Sequence, residues 1–318
     1  MRRSLIVTAL VMPVATSLAI LTPASGAVTA AAFYVNTESQ ANQWVRNNGG
    51  DPRAAGIQQK IADVPRSTWF ASYDANSSNV TASVKKVTDG AAAEGTTASV
   101  VAYMIPNRDC GSHSAGGAPD YASYTSWIQA FSQGLGDREV FVLLEPDAIA
   151  QSANCQSVDK EQRLTALKQA GATITATNPN AKVYYDGGHS GWKVSSADLR
   201  AAGVEQGDGV VTNVSNFRTT ADEVAYGKQL LSEIGDSSLG LVVDTSRNGN
   251  GPTPDSQWCN PSGRALGSQP TTSTGDGAVH AFLWVKQPGE SDGYCNGGPG
   301  AGTFSPELAD ELVRNTAG

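Results

Sequence analysis

The segment Val140-Phe141-Val142-Leu143-Leu144 limits the fold more than any other stretch of this chain. Consecutive apolar side chains alternate above and below a strand, so both faces need cover, which a barrel or a sheet with helices on both sides provides. This strand candidate runs from Val140 to Glu145, and six further runs have strand character: Thr68 to Ser72, Ser99 to Ile105, Lys182 to Asp186, Gly209 to Val214, Leu239 to Thr245 and Ala281 to Lys286. Stretches with helical spacing lie between them. Tyr121, Tyr124, Trp127, Ile128 and Phe131 form one such face, Leu164, Leu167 and Ile174 another, and Thr220-Ala221-Asp222-Glu223 reads as a capping box opening a helix through Leu230 and Ile234. This alternation predicts a parallel sheet, and we expect a barrel in one domain. Asn248 to Pro270 is rich in Gly, Pro and Asn, yet it holds Trp258 and Cys259 between two strand candidates, so it reads as a long ordered loop.

The first residues carry a different signal. Met1-Arg2-Arg3 precedes an apolar run from Leu5 to Leu21, broken by Pro13 and followed by small residues through Ala32, the pattern of an export signal. We assign 1–32 to that signal and 33–318 to the folded domain. An exported chain meets an oxidising compartment, so Cys110, Cys155, Cys259 and Cys295 are expected to form two disulfides rather than a metal site; no CxxC occurs. Pairing neighbours, Cys110 with Cys155 and Cys259 with Cys295, joins loops that flank strand ends. With 30 acidic residues against 22 basic ones and a net charge of −8, the chain has no basic face for nucleic acid or an anionic membrane.

Acidic residues gather where the strands end: Asp109, Glu145, Asp147, Asp186, Glu290 and Asp292, with Asp244 within the sixth strand. The carboxyl edge of a parallel sheet is where sites are built. Trp69, Tyr103, Trp192, Trp258 and Trp284 share those ends, whereas Trp44 and Trp127 lie on helical stretches and read as core. Flat rings beside paired carboxylates, in an exported protein, point to glycoside hydrolysis, in which one carboxylic acid protonates the leaving oxygen. That chemistry needs neither metal nor cofactor.

A second reading competes. Gly188-His189-Ser190-Gly191 follows a strand, and the order Ser190, Asp244, His280 matches that of an esterase triad. The nucleophile elbow, however, wants glycine where Trp192 stands, and His280 precedes a strand instead of following one.

Longer segments carry a resemblance. Val101-Ala102-Tyr103-Met104-Ile105-Pro106-Asn107-Arg108-Asp109-Cys110 and Leu144-Glu145-Pro146-Asp147 resemble the two signatures of glycoside hydrolase family 6, the cellulases formerly called family B. Asp186 to Trp192, Thr212 to Asn216, Asp244 to Gly249, Trp258-Cys259 and Trp284 to Gly293 extend the likeness over residues 33 to 318.

The resemblance implies an inverting hydrolase of β-1,4-glucan on a distorted seven-stranded α/β barrel. It makes Asp147 the general acid and places Asp109 nearby, raising the pKa of Asp147 by like-charge repulsion. Asp292 takes the position proposed for the base; the alternative route passes the proton of water through a serine, here Ser114, and Asp109. Tyr103 would press on the distorted sugar and Asp186 would support its developing charge. Trp69, His189, Trp192, Asn216, Trp258, Lys286 and Glu290 fall on sugar-binding positions. Only Gly293 to Ser305 separates Asp292 from Pro306, so the long covering loop of exo-acting relatives is missing, and the expectation is a secreted, monomeric endo-β-1,4-glucanase. A cellobiohydrolase and an inactive carbohydrate-binding module are the other readings.

Overall fold

The computed structural model describes residues 32–74 and 76–316; the expected export signal lies outside them except for Ala32. Seven parallel strands form one sheet in the order β1, β2, β3, β4, β7, β8, β9: β1 (Thr68–Phe70), β2 (Ala98–Ala102), β3 (Val140–Leu144), β4 (Ala181–Asp186), β7 (Gly209–Thr212), β8 (Gly240–Asp244) and β9 (Val279–Leu283). A two-residue hairpin, β5 (Gly188–His189) with β6 (Trp192–Lys193), is inserted after β4. The helices are α1 (Gln40–Asn47), α2 (Ala54–Ile57), α3 (Ser77–Ala93), α4 (Tyr121–Leu135), α5 (Ala148–Ser152), α6 (Lys160–Thr177), α7 (Ser196–Ala201), α8 (Thr220–Ile234) and α9 (Pro306–Asn315).

Alternation along the strands divides the core as the apolar runs require. Val100, Val142, Leu144, Val183, Val210, Leu241 and Val243 pack outward with α3, α4, α6 and α8, while Val101, Phe141, Leu143, Tyr184, Val211, Val242 and Ala281 fill the inner, concave face. The sheet curls until its edges approach: Ser67 N donates to Trp284 O (2.9 Å), just before β1 and just after β9. No β1–β9 ladder forms among the described residues, so the barrel is a curled half-barrel.

All seven strands fall on the expected runs, but most stop early at their carboxyl ends. The reason is chemical. Met104 and Ile105 leave the ladder because their amides donate to the Glu145 carboxylate (2.9 to 3.0 Å), and Val285 and Lys286 leave it to reach Asp244 (3.2 and 3.0 Å). A buried carboxylate at one strand end thus captures the next amides of its neighbour. The capping box also sits one residue earlier than expected: Thr219 is the N-cap and Asp222 its partner, which frees Glu223.

The disulfides join Cys110 to Cys155 and Cys259 to Cys295, as expected from their neighbouring order, with Cα atoms 5.7 and 6.1 Å apart. The first ties the loop after β2 to the segment after α5, and the second ties the loops after β8 and β9.

Candidate active site

At the carboxyl edge of β3 the backbone takes left-handed conformations at Glu145 (φ 48°) and Asp147 (φ 66°), on either side of Pro146. Such conformations persist where the surroundings hold them. Here Glu145 N donates to Ala102 O (2.9 Å), and Asp147 N donates to Asp186 Oδ2 at the end of β4 (2.6 Å). The side chain of Asp147 makes no capping bond to α5. Its carboxyl is therefore left for the cleft.

Asp109 joins from the loop after β2. Its Oδ2 accepts from Ser114 N (2.7 Å) and its Oδ1 from Gln151 Nε2 (2.8 Å), and Gln151 lies on α5 one turn past Asp147. The Cys110–Cys155 bond holds the two segments together. Burial first, then the charges of Asp186 and Asp109, push Asp147 well above the ordinary carboxylate range. Burial likewise lifts Asp186 to about 6, against the opposing amide bonds from Asp147 and Gly188. The buried Tyr103 ring lies beside this group, its face under the Arg108 guanidinium at 4.5 Å and its edge against Trp69, with centroids 5.1 Å apart.

The opposite wall has another character. Asp292, with 5% of its side chain exposed, takes Arg247 Nη1 at 2.9 Å, Lys286 Nζ at 3.4 Å and the Asn260 amide at 3.0 Å. Burial raises its pKa, but Arg247 and Lys286 outweigh that and hold it below the ordinary range. Lys286 Nζ also donates to Ser291 O (3.2 Å), and Glu290 accepts from Gln40 Nε2 (2.9 Å).

The remaining expected positions line the same edge. His189 faces Trp192 across the hairpin, its Nε2 lies 3.2 Å from Asn216 Nδ2, and burial then Arg218 lower its pKa to about 4, so the ring is neutral. Trp258 is 48% exposed and meets His113 edge-on with centroids 5.4 Å apart. The same His113 ring lies on Gly293, so the loop after β2 meets the loop after β9 there. Trp284, by contrast, is core: buried, with Nε1 donating to Ser268 O (2.8 Å).

The esterase arrangement is not formed. His280 Nδ1 pairs with the Tyr184 hydroxyl (2.9 Å), and its ring covers Gly240 at the amino end of β8, the end opposite Ser190. Asp244 is committed to the amides of Ser215, Ser246, Val285 and Lys286. Arg247, Gln151 and Asn260 were not singled out from sequence; their partners lie 45, 42 and 32 positions away. Among the described residues no group of three or more His, Cys, Asp or Glu is arranged to hold a metal ion.

A carboxyl with a raised pKa beside a buried tyrosine at the end of a parallel strand suits the chemistry of a glycoside hydrolase, and a pure binding module would have no use for it. Comparison with known proteins narrows the class: the chain belongs to the glycosyl hydrolases family 6, whose model matches residues 26–316. It is 46% identical over 290 residues to Endoglucanase A of Thermobispora bispora, covering 90% of this chain and 62% of that one, and 47% identical over 280 residues to Endoglucanase 1 of Streptomyces sp. (strain KSM-9), covering 87% and 76%. The chain thus spans a little under two thirds of the first relative's length. The solved structure of the endoglucanase Cel6 from Mycobacterium tuberculosis, in complex with methyl-cellobiosyl-4-deoxy-4-thio-β-D-cellobioside, superposes with a TM-score of 0.82 at 40% identity, covering 90% of this chain and 97% of that one.

Proposed function

We propose that this protein is a secreted endo-β-1,4-glucanase that hydrolyses its substrate with inversion. The observation that carries the reading is the Asp147 carboxyl at the end of β3, not spent on capping α5 and pushed well above the ordinary carboxylate range by burial and by the charges of Asp186 and Asp109. Asp147 donates its proton to the departing glycosidic oxygen while water attacks the anomeric carbon from the opposite face. Tyr103 bears on the sugar at that point, and Asp186 fixes the Asp147 backbone and faces the developing positive charge. Water passes its proton toward Ser114 and Asp109, which are already joined through the Ser114 amide. Asp292 acts as an anchor for Arg247 and Lys286 and not as the base, because a carboxylate paired with two cations is a weak proton acceptor.

The rings of Trp69, Trp192 and Trp258 and the polar groups of His189, Asn216, Lys286 and Glu290 hold the glucan chain. Residues 1–32 direct export, and the mature domain acts as a monomer without a cofactor. The relatives' names support the endo-acting reading. Viscosity of carboxymethylcellulose, followed against reducing ends, tests it. A steep early fall per new end is expected; ends without viscosity loss would mean end-wise attack, and no ends would remove the hydrolase reading. The anomer first released from a cello-oligosaccharide, seen by proton NMR, should be α.

A further inference from the structure

The hairpin that carries His189 and Trp192 pairs only Gly188 with Lys193 and His189 with Trp192. A ladder this short does not hold its own shape in water. What fixes it lies outside, on one face of α8. Glu223 is fully buried and its Oε1 accepts from Ser190 N at the hairpin tip (2.8 Å). Tyr226, three residues on and therefore on the same face, uses its hydroxyl twice: it donates to Gly187 O before the hairpin (2.7 Å) and accepts from Val194 N after it (3.0 Å). Two side chains thus grip the backbone at entry, tip and exit. Lys193 lies over the Tyr226 ring at 5.7 Å, and the Arg218 guanidinium covers Gly191 at the turn.

Resting on the reading of the site as a β-1,4-glucan hydrolase, we propose that Glu223 and Tyr226 are positioning residues that set His189 and Trp192 for the sugar, and so determine substrate affinity without touching substrate. Neither hydrogen-bonds to the acid cluster, although the charge of Glu223 helps raise Asp186, and the freed position in the capping box explains why an acidic residue at 223 faces inward. Their backbone partners leave the His189 and Trp192 side chains to the cleft.

The test compares Tyr226→Phe, Glu223→Met and Glu223→Gln on cellohexaose. Tyr226→Phe removes only the hydroxyl, so it decides the matter even where Glu223→Met folds poorly. Tyr226→Phe and Glu223→Met should raise KM about five- to tenfold, the size of one or two lost hydrogen bonds, with kcat of Tyr226→Phe within about twofold. Glu223→Gln keeps a carbonyl acceptor for Ser190 N–H and should restore KM to within about twofold. Unchanged KM in Tyr226→Phe, or Glu223→Gln as impaired as Glu223→Met, overturns the proposal. The His189 ring signals give a readout independent of hydrolysis. The groups facing it are Arg218, Asn216 and Trp192, and in Tyr226→Phe its pKa should rise from about 4 toward the ordinary 6.5; no rise overturns the proposal. A wild-type protein inactive on all β-1,4-glucans would instead sink the functional reading and leave this signal to be judged alone.

Discussion

The two walls of the cleft hold carboxylates of opposite electrostatic fate. On the wall built by β2, β3 and β4, Asp147, Asp186 and Asp109 meet amides, a glutamine and one another, with Arg108 turned away onto Tyr103 and backbone carbonyls. On the wall built by β8 and β9, Asp292 is enclosed by Arg247 and Lys286. Both aspartates are largely withdrawn from water, so burial alone does not distinguish them. The sign of the nearest charge does, raising one pKa and lowering the other.

The sharpest way to break this comparison is to neutralise each wall in turn. Asp147→Asn should lower kcat on polysaccharide by about 10²- to 10⁴-fold, the range for loss of a general acid, with the thermal midpoint held; wild-type turnover would refute its role. Asp292→Asn should behave differently, costing about 3 to 5 kcal/mol of stability because it leaves buried cations unpaired. If it is an anchor, Arg247→Met in the Asp292→Asn background should cost far less than Arg247→Met alone, a coupling that a urea-unfolding cycle measures. A stable Asp292→Asn protein with abolished turnover would return Asp292 to the role of base.

Smaller effects sharpen the contrast. Activity should fall as pH rises through the elevated pKa of Asp147, because the donor must be protonated. Asp186→Asn removes one of the charges that raise it and should move this basic limb to lower pH in a kcat profile; an unmoved limb would mean Asp186 acts only on the backbone. Stability should respond to pH with opposite signs on the two walls. Asp186, raised to about 6, loses stability as pH climbs from the ordinary carboxylate range through 6, whereas Asp292, lowered, contributes stability at neutral pH that is lost on acidification below that range. Denaturation curves of Asp186→Asn and Asp292→Asn against pH should flatten on opposite sides.

Much of this was legible in the chain. The strand runs, such as Val140 to Glu145, announced the number of strands and a parallel sheet, because apolar content and period follow directly from which faces are buried. The disulfide pairs followed from adjacency. What misled was the reading of strand-end acids as one population. Glu145, Asp244 and Asp147 look alike in sequence, each at or just past a β-strand, yet the first two gather backbone amides of neighbouring loops and only the third is left to the cleft. Trp284 and Trp258 divide in the same way, one hydrogen-bonded in the core and one half exposed. Glu223, which looked like a capping residue, turned to the hairpin once Thr219 and Asp222 closed the box.

By itself the sequence determined the parallel architecture, the edge at which the site is built and the family signatures, since local pattern and spacing encode those. Tertiary structure alone supplied the neighbours that raise the pKa of Asp147 and lower that of Asp292. Those shifts depend on charges and donors within a few ångströms, and Asp186 stands 39 positions from Asp147 while Arg247 stands 45 from Asp292; only the curl of the sheet brings the right neighbour to each.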